Sequence, residues 1–134
     1  QRFLEAQDGV MATVRRELRS GRKRGHWMWF VFPQVAGLGS SRTAERYAIA
    51  SREEAEAYLA HPVLGPRLHE CTELVNGLQD RSADEIFGHP DVLKFRSSMT
   101  LFDAITEDPA PFGTALERYY DGPDPETRRF LATD

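Results

Sequence analysis

Residues 91–105, DVLKFRSSMTLFDAI, read as a helix with two apolar sides. At about 100° per residue, Val92, Phe95, Met99 and Phe102 share one stripe. The other side holds Lys94, Ser97, Ser98 and Leu101, spaced i, i+3, i+4 and i+7, with Leu93, Ala104 and Ile105 at its flanks. A helix that packs on both sides is central, so the rest of the chain has to wrap around it. Its second side then sets a chemical problem. A lysine and two serines among apolar neighbours need partners, because an unpaired buried polar group costs about 1–3 kcal/mol. Either they floor a pocket, with Lys94 facing an anionic or carbonyl group, or Lys94 extends to water along its stem and the serines bond back to the helix.

The remaining segments are mostly helical. Residues 2–19 place Phe3, Leu4, Val10, Met11, Val14 and Leu18 within one arc, with Gln7 inside it, either buried with a partner or lining a cavity. Gly21 and Gly25 end that element. The loop AGLGSS, 36–41, opens a helix at 42–50. Ser51 with Glu54 and Ser82 with Glu85 have capping-box spacing, which starts a helix through Ala60 and a short turn closed by Gly88. Pro66 to Gln79 carries a core stripe of Leu68, Cys71, Leu74, Val75 and Leu78. Pro111 opens a helix to Tyr120, and Asp124 before Pro125 caps a last one. Residues 26–33, HWMWFVFP, are apolar without helical spacing and read as an extended or irregular segment crossing the core. The expectation is one all-α domain over residues 1–134, of about seven or eight helices, with at most one short extended segment at 27–32.

Composition narrows the function classes. A chain of 134 residues is sized for one domain. Seventeen bases against 21 acids give a net charge of −4, which disfavours a dedicated nucleic-acid binder. Six of the bases lie between Arg15 and Arg24, while residues 103–126 hold seven acids and a single Arg118. Such blocks are solvated faces that also serve as steering or docking surfaces. One cysteine, Cys71, allows no internal disulfide. No apolar run approaches the roughly 20 residues of a membrane span, and no signal peptide is visible. A cytoplasmic protein without membrane contact is the expectation.

Metal and cofactor chemistry find no pattern. His26, His61, His69 and His89 form no i, i+4 pair, and there is no second cysteine, so no metal site and no cofactor are expected. GLGSS is neither a nucleophile elbow nor a P-loop. Its glycines would still let backbone N–H groups and the Ser40 and Ser41 hydroxyls meet an anion at a helix start, with Arg42 beside them. The competing reading is a turn with a serine cap. In RKRGHWMWFVFPQ, 22–34, charge and aromatics are segregated rather than interleaved, and the apolar part has no polar face. That argues against a stacking surface for nucleic acid and against a membrane-surface helix. Trp29, Phe30 and Phe32 read as core, while His26, Trp27 and Gln34 sit at the edges with polar handles.

The segments GRKRGHWMWFVFPQVAGLGSSRTAERYAIAS, EAEAYLAHPVLGPRLHECTELV, IFG and LKFRSSMTLF resemble the bacterial domain of unknown function 1810 family, and its mycobacterial branch in particular. The resemblance covers nearly the whole chain. It implies an all-helical single domain and no settled activity. The label calpastatin sometimes carried by members does not suit it, since calpastatins are long disordered inhibitors. The family's motif blocks fall on residues 22–34, 36–42 and 94–102.

The leading expectation is a pocket for a small anionic, phosphate-bearing or nucleotide-like molecule. Trp27, Gln34, Ser40, Ser41, Arg42, Ser97 and Ser98 would bind it. If the domain is a hydrolase or transferase, His26 would be the base and Lys94 the electrostatic stabiliser. The alternatives are a protein-interaction module using the basic 15–24 face, and an N-glycosidase-like enzyme acting on nucleotide-derived substrates. Convergence of the three segments on one concavity separates the first reading from the interaction module.

Overall fold

The computed structural model describes residues 2–38, 41–106 and 111–133. They form ten helices: α1 (Arg2–Asp8), α2 (Met11–Ser20), α3 (Met28–Val31), α4 (Arg42–Arg46), α5 (Arg52–Ala60), α6 (Leu64–Asn76), α7 (Ala83–Phe87), α8 (Asp91–Ile105), α9 (Phe112–Tyr119) and α10 (Pro125–Thr133). Among the described residues the only β-type pairing is an isolated parallel bridge between Val35 and Ile49. The all-α reading holds, and the helix number rises for two local reasons.

The first is a break in the N-terminal helix. Gly9 has the low helix propensity of any glycine, and Val10 sits at φ −125°, ψ −5°, outside the helical basin. The buried face nevertheless continues across the break through Phe3, Gln7, Met11, Val14 and Leu18. Gly21 then closes α2 at φ 83°, donating its N–H to the Glu17 and Leu18 carbonyls, a conformation glycine adopts without strain.

The second is a correction. Residues 28–31, expected to be extended or irregular, form the single helical turn α3. Helical rotation explains the burial seen there. Trp27, Met28, Val31 and Phe32 fall on one side and are buried, while Trp29 and Phe30, on the other, are half-buried. Trp27 is therefore core and Trp29 peripheral, the reverse of the sequence expectation.

Helix α8 is central as its two apolar sides require. Val92, Phe95 and the run Ser97–Phe102 are all buried, and α3, α5, α7, α9 and α10 pack on it. Two aromatic groups fill the space around it. Phe95 meets Phe32 edge-on at 4.9 Å and stacks on Phe87 at 4.6 Å, and Phe102 lies between Tyr58 at 5.5 Å and Phe112 at 5.9 Å. Tilted and edge-on pairs of this kind add to simple burial. The predicted caps form: Ser51 accepts from Glu54 N–H, and Ser82 and Glu85 make the full reciprocal box.

Gln7 is buried with partners. Its amide donates to the Phe30 carbonyl at 2.6 Å and to the Tyr58 hydroxyl at 2.9 Å, and its oxygen accepts from Arg67 at 3.3 Å. Burial pushes the Tyr58 phenol up despite the Gln7 bond, so it stays protonated.

Candidate functional site

One member of the basic block, Lys23, packs against the aromatic run. Glu17 turns inward and its Oε1 accepts from Arg24 N–H at 2.8 Å, Gly25 N–H at 2.9 Å and the Trp27 indole N–H at 3.0 Å. Burial works to raise the Glu17 pKa, but the N–H bonds from Gly25, Arg24 and Trp27 outweigh it and hold the carboxyl below the usual range. Lys23 is only 7% exposed, lies 5.2 Å from the Trp27 ring centre and reaches Asp91 Oδ2 at 2.7 Å. Lys94 sits 4.5 Å over the Trp29 ring and meets the other Asp91 oxygen at 3.5 Å. One carboxylate thus serves two ammonium groups in a triad of Lys23, Asp91 and Lys94, and Lys23 also acts on the Glu17 carboxylate. The looser contact is at Lys94, whose side chain is 20% exposed. Its charge resides there beside an aromatic face.

Lys94 also lines a cavity of about 230 Å³ together with Gln34, Leu38, Pro90, Leu93, Ser97, Asp124 and Glu126. Three separate stretches meet here: the end of the aromatic run, the glycine loop and α8. The first turn of α10 closes the cavity, a contribution absent from the sequence expectation. Asp124 Oδ2 accepts from Thr127 N–H at 3.0 Å and from Thr127 Oγ1 at 2.6 Å. Thr127 Oγ1 in turn lies 2.7 Å from Ser97 Oγ. A hydroxyl has one proton to give, and that of Thr127 goes to Asp124, so Ser97 is the donor in its bond with Thr127. Leu93, 55% exposed, is the exposed large apolar side chain among the described residues, and it stands at this cavity.

The other expected site residues lie elsewhere. Trp27 is enclosed in the core with its N–H on Glu17. His26 is exposed and is not part of the cavity wall. Ser41 caps α4 by accepting from Ala44 N–H at 3.0 Å, and Arg42 is exposed. Ser98 is fully buried, and its hydroxyl finds no partner among the described residues. Ser40 lies outside the described residues.

The comparisons agree with the resemblance read from sequence. Residues 1–131 match the family model described as a protein of unknown function, DUF1810. The chain belongs to the DUF1810 family. The conserved hypothetical protein Rv1873 from Mycobacterium tuberculosis, known from a crystal structure, is similar to it at 60% identity. The match covers 98% of this chain and 94% of that one, with a TM-score of 0.96. No curated protein matches.

Elsewhere in this DUF1810 chain the chemistry is quieter. Burial, with Glu70 nearby, pushes the Cys71 thiol up to about 12, which leaves it a neutral core group rather than a nucleophile. No group of three or more metal-ligating side chains occurs among the described residues. Among those residues no helix is long and apolar enough to cross a membrane. A larger cavity of about 690 Å³ is walled by Asp103, Glu117 and Asp121 with Leu116 and Tyr120. Burial raises the Asp103 pKa there, Arg128 opposing and Glu117 adding to the effect. An acidic wall with no lysine or arginine is the wrong sign for an anion.

The basic 15–24 block of this DUF1810 protein is divided. Arg15 pairs with Glu70 at 2.9 Å and Lys23 with Asp91, while Arg16, Arg19, Arg22 and Arg24 are exposed.

Proposed function

We propose that this domain binds a small anionic ligand in the 230 Å³ cavity, with Lys94 as the charged anchor, Gln34 and Ser97 as polar contacts, and Leu38, Pro90 and Leu93 as the apolar edge. The observation that carries the reading is that Gln34, Leu38 of the glycine loop and the Lys94 and Ser97 side of α8 line one concavity, in which Lys94 is the cation among the described lining residues, beside the Asp124 and Glu126 carboxylates. The volume is below the ~300–1,000 Å³ of sites that enclose drug-sized molecules. A phosphate- or carboxylate-bearing fragment fits that space, and a nucleotide would enter by its phosphate end alone.

Binding is better supported than catalysis. A threonine hydroxyl cannot take a proton and hold the charge as an imidazole does, so Thr127 orients Ser97 without activating it. The interaction-module reading calls for scattered site residues and an exposed apolar patch elsewhere; His26, Trp27, Ser41, Arg42 and Ser98 do lie away from the cavity, and the patch is the point of difference. Among the described residues the exposed large apolar side chain is Leu93, at the pocket itself.

Thermal-shift titration of the full chain with inorganic phosphate, pyrophosphate and butyrate tests the proposal. A ligand at 100 times its Kd adds about 2.7 kcal/mol, a rise of several degrees in Tm. The shift is expected in the wild type and lost in Lys94→Gln, which removes the charge and keeps a polar chain. An equal shift in Lys94→Gln would reject the site.

A further inference from the structure

We infer that the ligand is a small zwitterion with a short apolar chain, an amino-acid-like molecule whose ammonium group lies against Ser97 and Asp124 while its anionic group faces Lys94. The inference rests on the anion reading above and adds what the opposite wall requires.

That wall accepts hydrogen bonds. The Ser97 proton is committed to Thr127, because the Thr127 proton is committed to Asp124. Ser97 therefore has only lone pairs to offer a ligand. Asp124 takes both of its Thr127 bonds on Oδ2, which leaves Oδ1 as a second acceptor. Glu126 adds a further carboxylate to the lining. Gln34 is the amide that can turn either end toward a ligand. A simple anion would satisfy Lys94 and meet acceptors and negative charge everywhere else, which costs affinity. A simple amine would satisfy the acceptors and oppose Lys94. A molecule with both charges meets each wall with its complement. Its carbon chain would lie against Leu38, Pro90 and Leu93, the last of which is otherwise left 55% exposed. The cavity volume of about 230 Å³ suits a molecule of amino-acid size.

Calorimetric titration of the full chain with L-2-aminobutyrate, butyrate and butylammonium isolates each charge on a matched carbon chain. The zwitterion is expected to bind about tenfold or more tighter than either single-charge analogue, about 1.4 kcal/mol or more. Thr127→Val is close in shape, frees the Ser97 proton and should narrow the preference over butyrate. If butyrate binds as tightly as aminobutyrate, the zwitterion inference falls and the anion site stands. If none of the three binds while inorganic phosphate still does, the inference falls alone. Preferred binding of butylammonium would overturn both readings, as would silence from all three together with phosphate. Unchanged selectivity in a folded Thr127→Val would remove the role given to Ser97.

Discussion

Gly65→Ala is expected to lower the melting temperature by about 10 °C or more, the result of roughly 3 kcal/mol of overpacking at a few degrees per kcal/mol. A β-carbon at Gly65 would stand 2.1 Å from the Leu59 carbonyl oxygen, inside any permitted contact, and the neighbour is backbone rather than a movable side-chain end. Helix propensity argues the opposite way. Gly65 lies in the first turn of α6, and alanine in a helix interior is favoured over glycine by about 1 kcal/mol. The two effects differ in sign, so the direction of the change decides between them. A thermal melt of the variant within about 3 °C of wild type, or above it, would show that α5 and α6 can separate at no cost. Loss of soluble protein would agree with the clash.

Glu17→Ala is expected to destabilise the fold by about 2 kcal/mol, since three N–H donors lose their shared acceptor, one of them the indole of the buried Trp27. Glu17→Gln keeps an oxygen for those donors and should recover about half of that loss. The pH dependence has a fixed sign. A carboxyl held below its ordinary value of 4.5 contributes stability that is complete above that value and fades as pH falls through the folded-state pKa. Urea unfolding from neutral pH down into acid should therefore show the deficit of Glu17→Gln shrinking below about pH 4.5. A deficit constant with pH would mean that the charge on Glu17 plays no part.

Much of the architecture could be read from local signals. The two serine caps, the glycine at the end of α2 and the double-sided α8 depend on residues a few positions apart, and each appears where its spacing put it. The aromatic run was misread because its geometry turns on one choice. In an extended chain Trp27 and Trp29 share a side, whereas in a helical turn they are separated by about 200°. The six residues 27–32 are apolar without a break and carry no periodicity to choose between the two. The candidate site was legible in part for a similar reason. Lys94 and Ser97 stood out because a polar stripe on a central helix is a local anomaly. Asp124 and Thr127 did not, because Asp124 already had a sufficient local role as a helix cap. Its link through Thr127 to Ser97 spans 30 residues and depends on how α10 docks on α8. Asp91 was missed likewise: nothing in sequence ties it to Lys23, 68 positions earlier, which it meets at 2.7 Å.

The amide of Gln7 touches an oxygen or nitrogen from three other parts of the molecule: the α3 backbone, the Tyr58 phenol of α5 and the Arg67 guanidinium of α6. A seven-residue helix is too short to be stable by itself and depends on its contacts. Its release would remove the amide shared by the Phe30 carbonyl and the Tyr58 phenol and leave those two with each other at 3.4 Å. One amide thereby works as a rivet through which α1 is held to three other helices at a single point.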